Sequence, residues 1–155
     1  MIFCTVGNDH RRFLRFEEVV RKLAQSHHIV FQYGYSNPVS HKNVINVDFL
    51  SSADFEEHLK SAEEVYSHGG AGTLLICAQL GKFPKVLSRE KKYGEHINDH
   101  QKEIVSAFFE LGLLDQIDAQ SVMISPGLNQ KKCIRTTTRK SFITAMSGKI
   151  KKYLK

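Results

Sequence analysis

Val65-Tyr66-Ser67-His68-Gly69-Gly70-Ala71-Gly72-Thr73, with the apolar run to Leu80 and then Gly81, reads as strand, glycine turn and helix. Val65-Tyr66-Ser67 is a brief, weakly apolar strand, recognisable mainly by the glycine turn after it. The helix is expected from Thr73 to Leu80, with Gly81 in the place of a helix C-terminal glycine. Glycines at 69, 70 and 72 let backbone N–H groups approach a ligand without a Cβ in the way. A helix that opens there offers unpaired donors and the positive end of its dipole, which together suit a diphosphate. Thr73 adds a hydroxyl or caps the helix. The same residues also make a plain tight turn with close packing. Their spacing is neither that of a Walker A loop nor that of the six-residue dinucleotide fingerprint.

Outward from this turn, short apolar runs alternate with segments of helical period, the pattern of a parallel sheet covered by helices. Ile2–Val6 is expected as a buried strand ending at Gly7. Phe13, Phe16, Val19, Val20 and Leu23 then recur at helical spacing, with Asn8 or Asp9 as the cap. Strands are expected at Ile29–Tyr33 and Val44–Phe49, and Ser51 or Ser52 caps a helix with Phe55, Leu59 and Ala62 on one face. A fifth strand follows Pro84, over Lys85–Ser88. Residues 89–98 form a polar loop and Asp99–Leu111 a helix stopped by Gly112. Val122-Met123-Ile124 suggests a last strand, and a basic helix over about 141–155 closes the chain. The fold class is α/β, Rossmann-like, with residues 1–155 in a single domain.

The 155 residues are 41% hydrophobic and 25% charged, enough for a real core and against disorder. The three cysteines, Cys4, Cys77 and Cys133, are too scattered for a disulfide framework or metal knuckle and fit a reducing cytoplasm. Much of the net charge of +6 lies in the tail, at Lys131, Lys132, Arg135, Arg139, Lys140, Lys149, Lys151, Lys152 and Lys155. That suits an acidic partner or anionic lipid, or simply a solvated helix face. No aromatic ladder accompanies the charges, so nucleic acid is not expected. The N-terminus does not read as a signal peptide, and no run approaches ~18 apolar residues.

Ligands in such sheets sit outside the carboxyl ends of the strands. Besides the glycine turn, two loops there are unusual. Arg89 to Gln101 carries Glu95, His96, Asn98, Asp99, His100 and Gln101, carboxylates and amides suited to hydroxyl-rich ligands. The plainer reading is a solvated loop with Asn98 or Asp99 as a helix cap. A metal at His96, Asp99 and His100 is specified by no further ligand, and none is expected. Gly7-Asn8-Asp9-His10 touches substrate or caps the first helix.

Ser67-His68-Gly69-Gly70-Ala71-Gly72-Thr73, Leu80-Gly81-Lys82, Lys92-Tyr93-Gly94-Glu95-His96 and Asn98-Asp99-His100-Gln101 closely resemble the carboxyl-terminal domain of family-28 glycosyltransferases. Thr5-Val6-Gly7 and Gln32-Tyr33-Gly34-Tyr35-Ser36 match its short, stand-alone branch. That branch includes the catalytic subunit of the dolichol-linked N-acetylglucosaminyltransferase and bacterial counterparts in capsule and exopolysaccharide synthesis. The resemblance spans residues 1 to about 125.

It implies one half of a GT-B cleft that holds a UDP-sugar, which is a substrate, with no cofactor. Ser67, His68, Gly69, Gly70, Ala71, Gly72 and Thr73 would lie at the diphosphate. Gln101 would meet the donor sugar with Asn98, Asp99 and His100 beside it, and Glu95 would hold the ribose. Gly7, Asn8 and Arg89 would line the cleft. An inverting displacement onto a polyprenyl-diphosphate-linked sugar is implied, with His10 as the candidate base. A membrane-associated partner subunit would bind that acceptor at the cytoplasmic face. A non-catalytic subunit that stabilises a partner is the other reading. The chain departs from its relatives in Asn8-Asp9-His10, where a Thr-His pair is common, and in a proline shifted by one in Gly81-Lys82-Phe83-Pro84, which leaves the fifth strand's course open.

Overall fold

The computed structural model describes residues 1–120 and 122. The helix expected over 141–155, and most of the strand expected at 122–124, lie outside the described residues. Among the described residues six strands and four α-helices follow in the order β1 (Ile2–Thr5), α1 (Leu14–Leu23), β2 (Ile29–Gln32), β3 (Val44–Val47), α2 (Ser52–Ser61), β4 (Glu64–His68), α3 (Ala71–Gln79), β5 (Lys85–Leu87), α4 (His100–Glu110) and β6 (Asp115–Gln116). All pairings are parallel, in the order β3-β2-β1-β4-β5-β6. Rossmann-like architecture is therefore present.

Apolar residues on both faces explain why β1 and β2 are wholly buried. Cys4, Val6 and Phe31 pack with Phe13, Phe16, Val19 and Val20 at the start of and along α1. Phe3, Val30 and Val65 pack instead with Leu59 of α2 and Cys77 of α3. Val86 of β5 joins Leu74 of α3 to Ile104, Val105 and Phe108 of α4. Each such fully buried side chain contributes about 1.5–3 kcal/mol. Burial pushes the thiols of Cys4 and Cys77 up, Cys77 to about 12, so these two act as packing groups.

Several boundaries move. Neither Asn8 nor Asp9 caps α1; the cap position is Phe13, whose N–H donates to Ser36 Oγ at 2.9 Å. Ser51 does cap α2, accepting from Asp54 N–H at 3.1 Å. Helix α3 starts at Ala71 rather than Thr73, because Gly70 already has the extended conformation of a cap. The last described strand is Asp115–Gln116, where none was expected; the N–H of Asp115 donates to Pro84 O.

In the order β3-β2-β1-β4-β5-β6 the chain direction across the sheet reverses between β1 and β4. The crevice of a parallel sheet opens at that switch point. Its walls are the segments leaving β1 and β4, which contain Gly7 and Gly69-Gly70.

Candidate functional site

The imidazole of His68, last residue of β4, fills the space between those two walls. A Cβ placed on Gly7 would overlap its Cε1 and Nε2, and one on Gly70 would overlap Nε2. Gly7 also has φ +71°, so glycine is required there on two counts. His68 is 7% exposed and its Nδ1 has no hydrogen-bond partner. Burial, helped by the charge of Arg89, pushes its pKa down to about 4, so the ring is neutral near pH 7. Ser67 and His68, expected at the diphosphate, both lie inside the fold. Ser67 is buried with its hydroxyl donated to His68 O at 3.0 Å, and His68 acts as the packing between the loops.

Gly70 and the first residues of α3 remain open to a ligand. Ala71, Gly72 and Thr73 are the first turn of the helix rather than loop, and nothing lies within 4 Å of a Cβ built on Gly72. First-turn N–H groups lack partners inside the helix, which leaves donors at this end of α3. Gly69 is packed: its missing Cβ makes room for Val105 and Gln101 of α4.

The segment after β5 is not the solvated loop of the plainer reading. Arg89 is 0% exposed, and its guanidinium donates to the carbonyls of Arg11 (2.9 Å), Glu95 (3.2 Å) and Val6 (3.0 Å). It also lies over the Phe13 ring at 4.6 Å. Arg89 thus underlies the cleft rather than lining it. Glu95, expected at the ribose, is 2% exposed and has both carboxylate oxygens in hydrogen bonds within the chain. One accepts from Arg15 Nε at 2.9 Å, the other from Arg15 Nη2 and from Glu90 N–H. Its carboxylate fixes this segment to α1.

Gln101 is buried at the start of α4, with Oε1 accepting from Arg89 N–H at 3.1 Å. Asn98 Oδ1 accepts from His100 N–H, and Asp99 Oδ1 from Lys91 N–H. His96, Asp99 and His100 do not converge. His96 Nδ1 meets Asn98 and its Nε2 lies 3.7 Å from Asp9, whereas His100 is 3.7 Å from Glu103. Among the described residues no group of three His, Cys, Asp or Glu side chains is placed to hold a metal. Asp9 is turned to Arg11, which donates from N–H at 2.9 Å. Burial raises its pKa, but that hydrogen bond and the charges of Arg89 and Arg11 outweigh it and hold the carboxyl below the usual range. Asn8 and His10 are exposed on the same segment.

Two contacts were not legible from the sequence. The Asp9–His96 approach joins the segments after β1 and β5. Exposed Tyr35 and Phe49 meet edge to face at 5.2 Å, beyond the ends of β2 and β3. Gln32 ties these regions together, its Nε2 donating to Asp48 O at 3.0 Å and to Gly7 O at 3.4 Å.

Solved glycosyltransferases share this fold. The glycotransferase of kitacinnamycin superposes with a TM-score of 0.54 at 19% identity, over 79% of this chain and 31% of that one. The glycosyltransferase SnogD from Streptomyces nogalater superposes with a TM-score of 0.55 at 19% identity, over 76% and 31%. The chain therefore spans about a third of the length of these structures. No curated protein sequence matches it. The family model of the glycosyltransferase family 28 C-terminal domain matches residues 1–151, and the chain belongs to that family.

Proposed function

We propose that the chain is the donor-binding, catalytic subunit of a two-subunit inverting glycosyltransferase, taking a sugar from a UDP-sugar to a polyprenyl-diphosphate-linked acceptor in capsular or exopolysaccharide synthesis. The observation that carries it is the switch-point cleft itself: Gly70 and the N-terminus of α3 face the segment after β1 across His68. Membership of a glycosyltransferase donor-domain family supports the donor class. Both superposed glycosyltransferases being much longer supports a second half for the acceptor. We place that half on a membrane-associated partner that recruits this chain to the cytoplasmic face. No helix among the described residues is long and apolar enough to cross a membrane.

In this reading the diphosphate lies on the N–H groups of Gly70, Ala71, Gly72 and Thr73. The rings of Tyr35 and Phe49 offer a face for the uracil. Gln101, with Oε1 committed to Arg89, has its Nε2 donor for a donor-sugar hydroxyl. The acceptor oxygen attacks the anomeric carbon as the bond to the β-phosphate oxygen breaks. UDP leaves with the electron pair, and the acceptor proton passes to a base. Donors aimed at the β-phosphate stabilise the charge that grows there. Exposed His10 is the base candidate on this chain, and His10→Ala with full turnover would remove it.

Calorimetry of the chain with UDP, UDP-glucose, UDP-galactose, UDP-glucuronate and UDP-N-acetylglucosamine tests the donor site, repeated with the partner for the whole reaction. One sugar nucleotide binding more tightly than UDP is the expected result. Binding of none of them sinks the reading.

A further inference from the structure

Among the described residues Arg89 is the one guanidinium whose hydrogen bonds all go to carbonyls, those of Val6, Arg11 and Glu95. Each acid near it has a cation of its own. Asp9 is held by Arg11, Glu95 by Arg15, and Glu90 by Lys92 and Lys102. Among the described residues no carboxylate hydrogen-bonds to Arg89, and its Nε is buried without a partner. Asp9 and Glu95 act on it only through space, and a buried guanidinium with no directly hydrogen-bonded carboxylate is costly in a low-dielectric interior. A positive charge under a cleft raises the local concentration of anions and marks a candidate functional group.

Its three acceptors belong to the start and the end of the segment after β1 and to the segment after β5. Its own N–H is held by Gln101, which packs on Gly69. All the walls of the cleft therefore meet at one residue. A lysine keeps the charge at this place but lacks the planar fork that spans several carbonyls.

We propose that Arg89 is a positioning residue of the donor site, clamping the segments after β1 and β5 and supplying the buried positive charge that favours a diphosphate over a neutral nucleoside. This rests on the donor-site reading above. Arg89 does not touch the ligand; its field acts through the low-dielectric floor, where screening by salt is weak.

The test is calorimetry with UDP and with uridine on wild type, Arg89→Gln and Arg89→Lys, beside an NMR titration of arginine-labelled wild type. In Arg89→Gln the UDP affinity should fall about tenfold or more while uridine changes by less than about threefold. In Arg89→Lys the ratio of the two affinities should stay within about threefold of wild type. The Nε–H resonance missing from Arg89→Lys should move with UDP and not with uridine, a readout that survives if Arg89→Gln does not fold. Parallel loss of both ligands, an unchanged UDP affinity, or an unmoved resonance would overturn the proposal. Wild type that binds uridine and UDP equally also defeats it, whereas wild type that binds neither defeats the donor-site reading, and the proposal falls with it.

Discussion

Gly70 lies against the imidazole of His68 so closely that a Cβ on Gly70 would overlap Nε2. The ring cannot swing toward Gly7 to make room, because a Cβ at that position would strike it from the other side. Close approach of two backbones is thus bought with a planar side chain held between them.

Gly70→Ala should therefore displace His68 and splay the cleft. Overpacking of this kind costs typically 1–3 kcal/mol. UDP affinity should drop at least about tenfold, since donors misplaced by an ångström stop converging on one anion. Gly72→Ala is the matched control: its Cβ meets nothing within 4 Å and its φ is ordinary, so thermal stability should hold or rise slightly. Calorimetry and melting curves on the two variants check both halves.

Burial of His68 also makes stability depend on pH. In the unfolded chain the imidazole titrates near 6.5, and in the fold burial pushes it down to about 4. A proton refused by the fold but accepted by the unfolded chain favours unfolding as pH falls. This contribution is whole above about pH 6.5 and is lost between there and about pH 4, amounting to about 3 kcal/mol. Asp9, Glu17 and Glu90, all held low despite burial, add their own acid loss, but that loss is common to wild type and His68→Gln. Urea midpoints from pH 7.5 to 4.5 should converge for the two proteins as pH falls. Parallel curves would contradict a buried neutral ring.

Arg15 and Glu95 are 80 residues apart in sequence and clip the segment after β5 onto α1. Arg15 also stands 4.3 Å from the Tyr93 ring. Arg15→Met would leave the Glu95 carboxylate buried with Glu90 N–H alone, and removing one partner of a buried pair costs about 3–5 kcal/mol. Part of the Arg15 side chain reaches solvent, so about 2 kcal/mol is expected. Adding Glu95→Gln should recover some of it, a coupling that a double-mutant cycle in urea measures.

The parts of this architecture that announce themselves in sequence are those with period. Apolar β1 and β2, α1 with its Phe16, Val19, Val20 and Leu23, and the glycine turn before α3 each carry a local signature. β6 carries none, being two exposed polar residues placed by pairing with β5. Arg89 and Glu95 mislead for a related reason. Charged residues in a polar stretch look solvated, and only the distant Val6, Arg11 and Arg15 turn them inward. The resemblance supplied the family that residues 1–151 match, while the duties of single side chains depended on contacts that no motif records.

Gln101 is where that distinction can be measured most sharply. Its Oε1 accepts from Arg89 N–H, so truncation to alanine removes a structural hydrogen bond as well as any sugar contact, at about 1 kcal/mol for the bond. Gln101→Glu keeps the acceptor but replaces the amide donor by a carboxylate, so the comparison is between ligands on the one variant. If that donor serves the sugar, the loss of affinity for the preferred UDP-sugar should exceed the loss for UDP by about tenfold. Turnover with the partner should fall further than binding, because the contact strengthens as the sugar moves toward the transition state. A variant that binds every UDP-sugar as wild type does, with turnover intact, would take Gln101 out of the donor site and favour a subunit that only stabilises its partner.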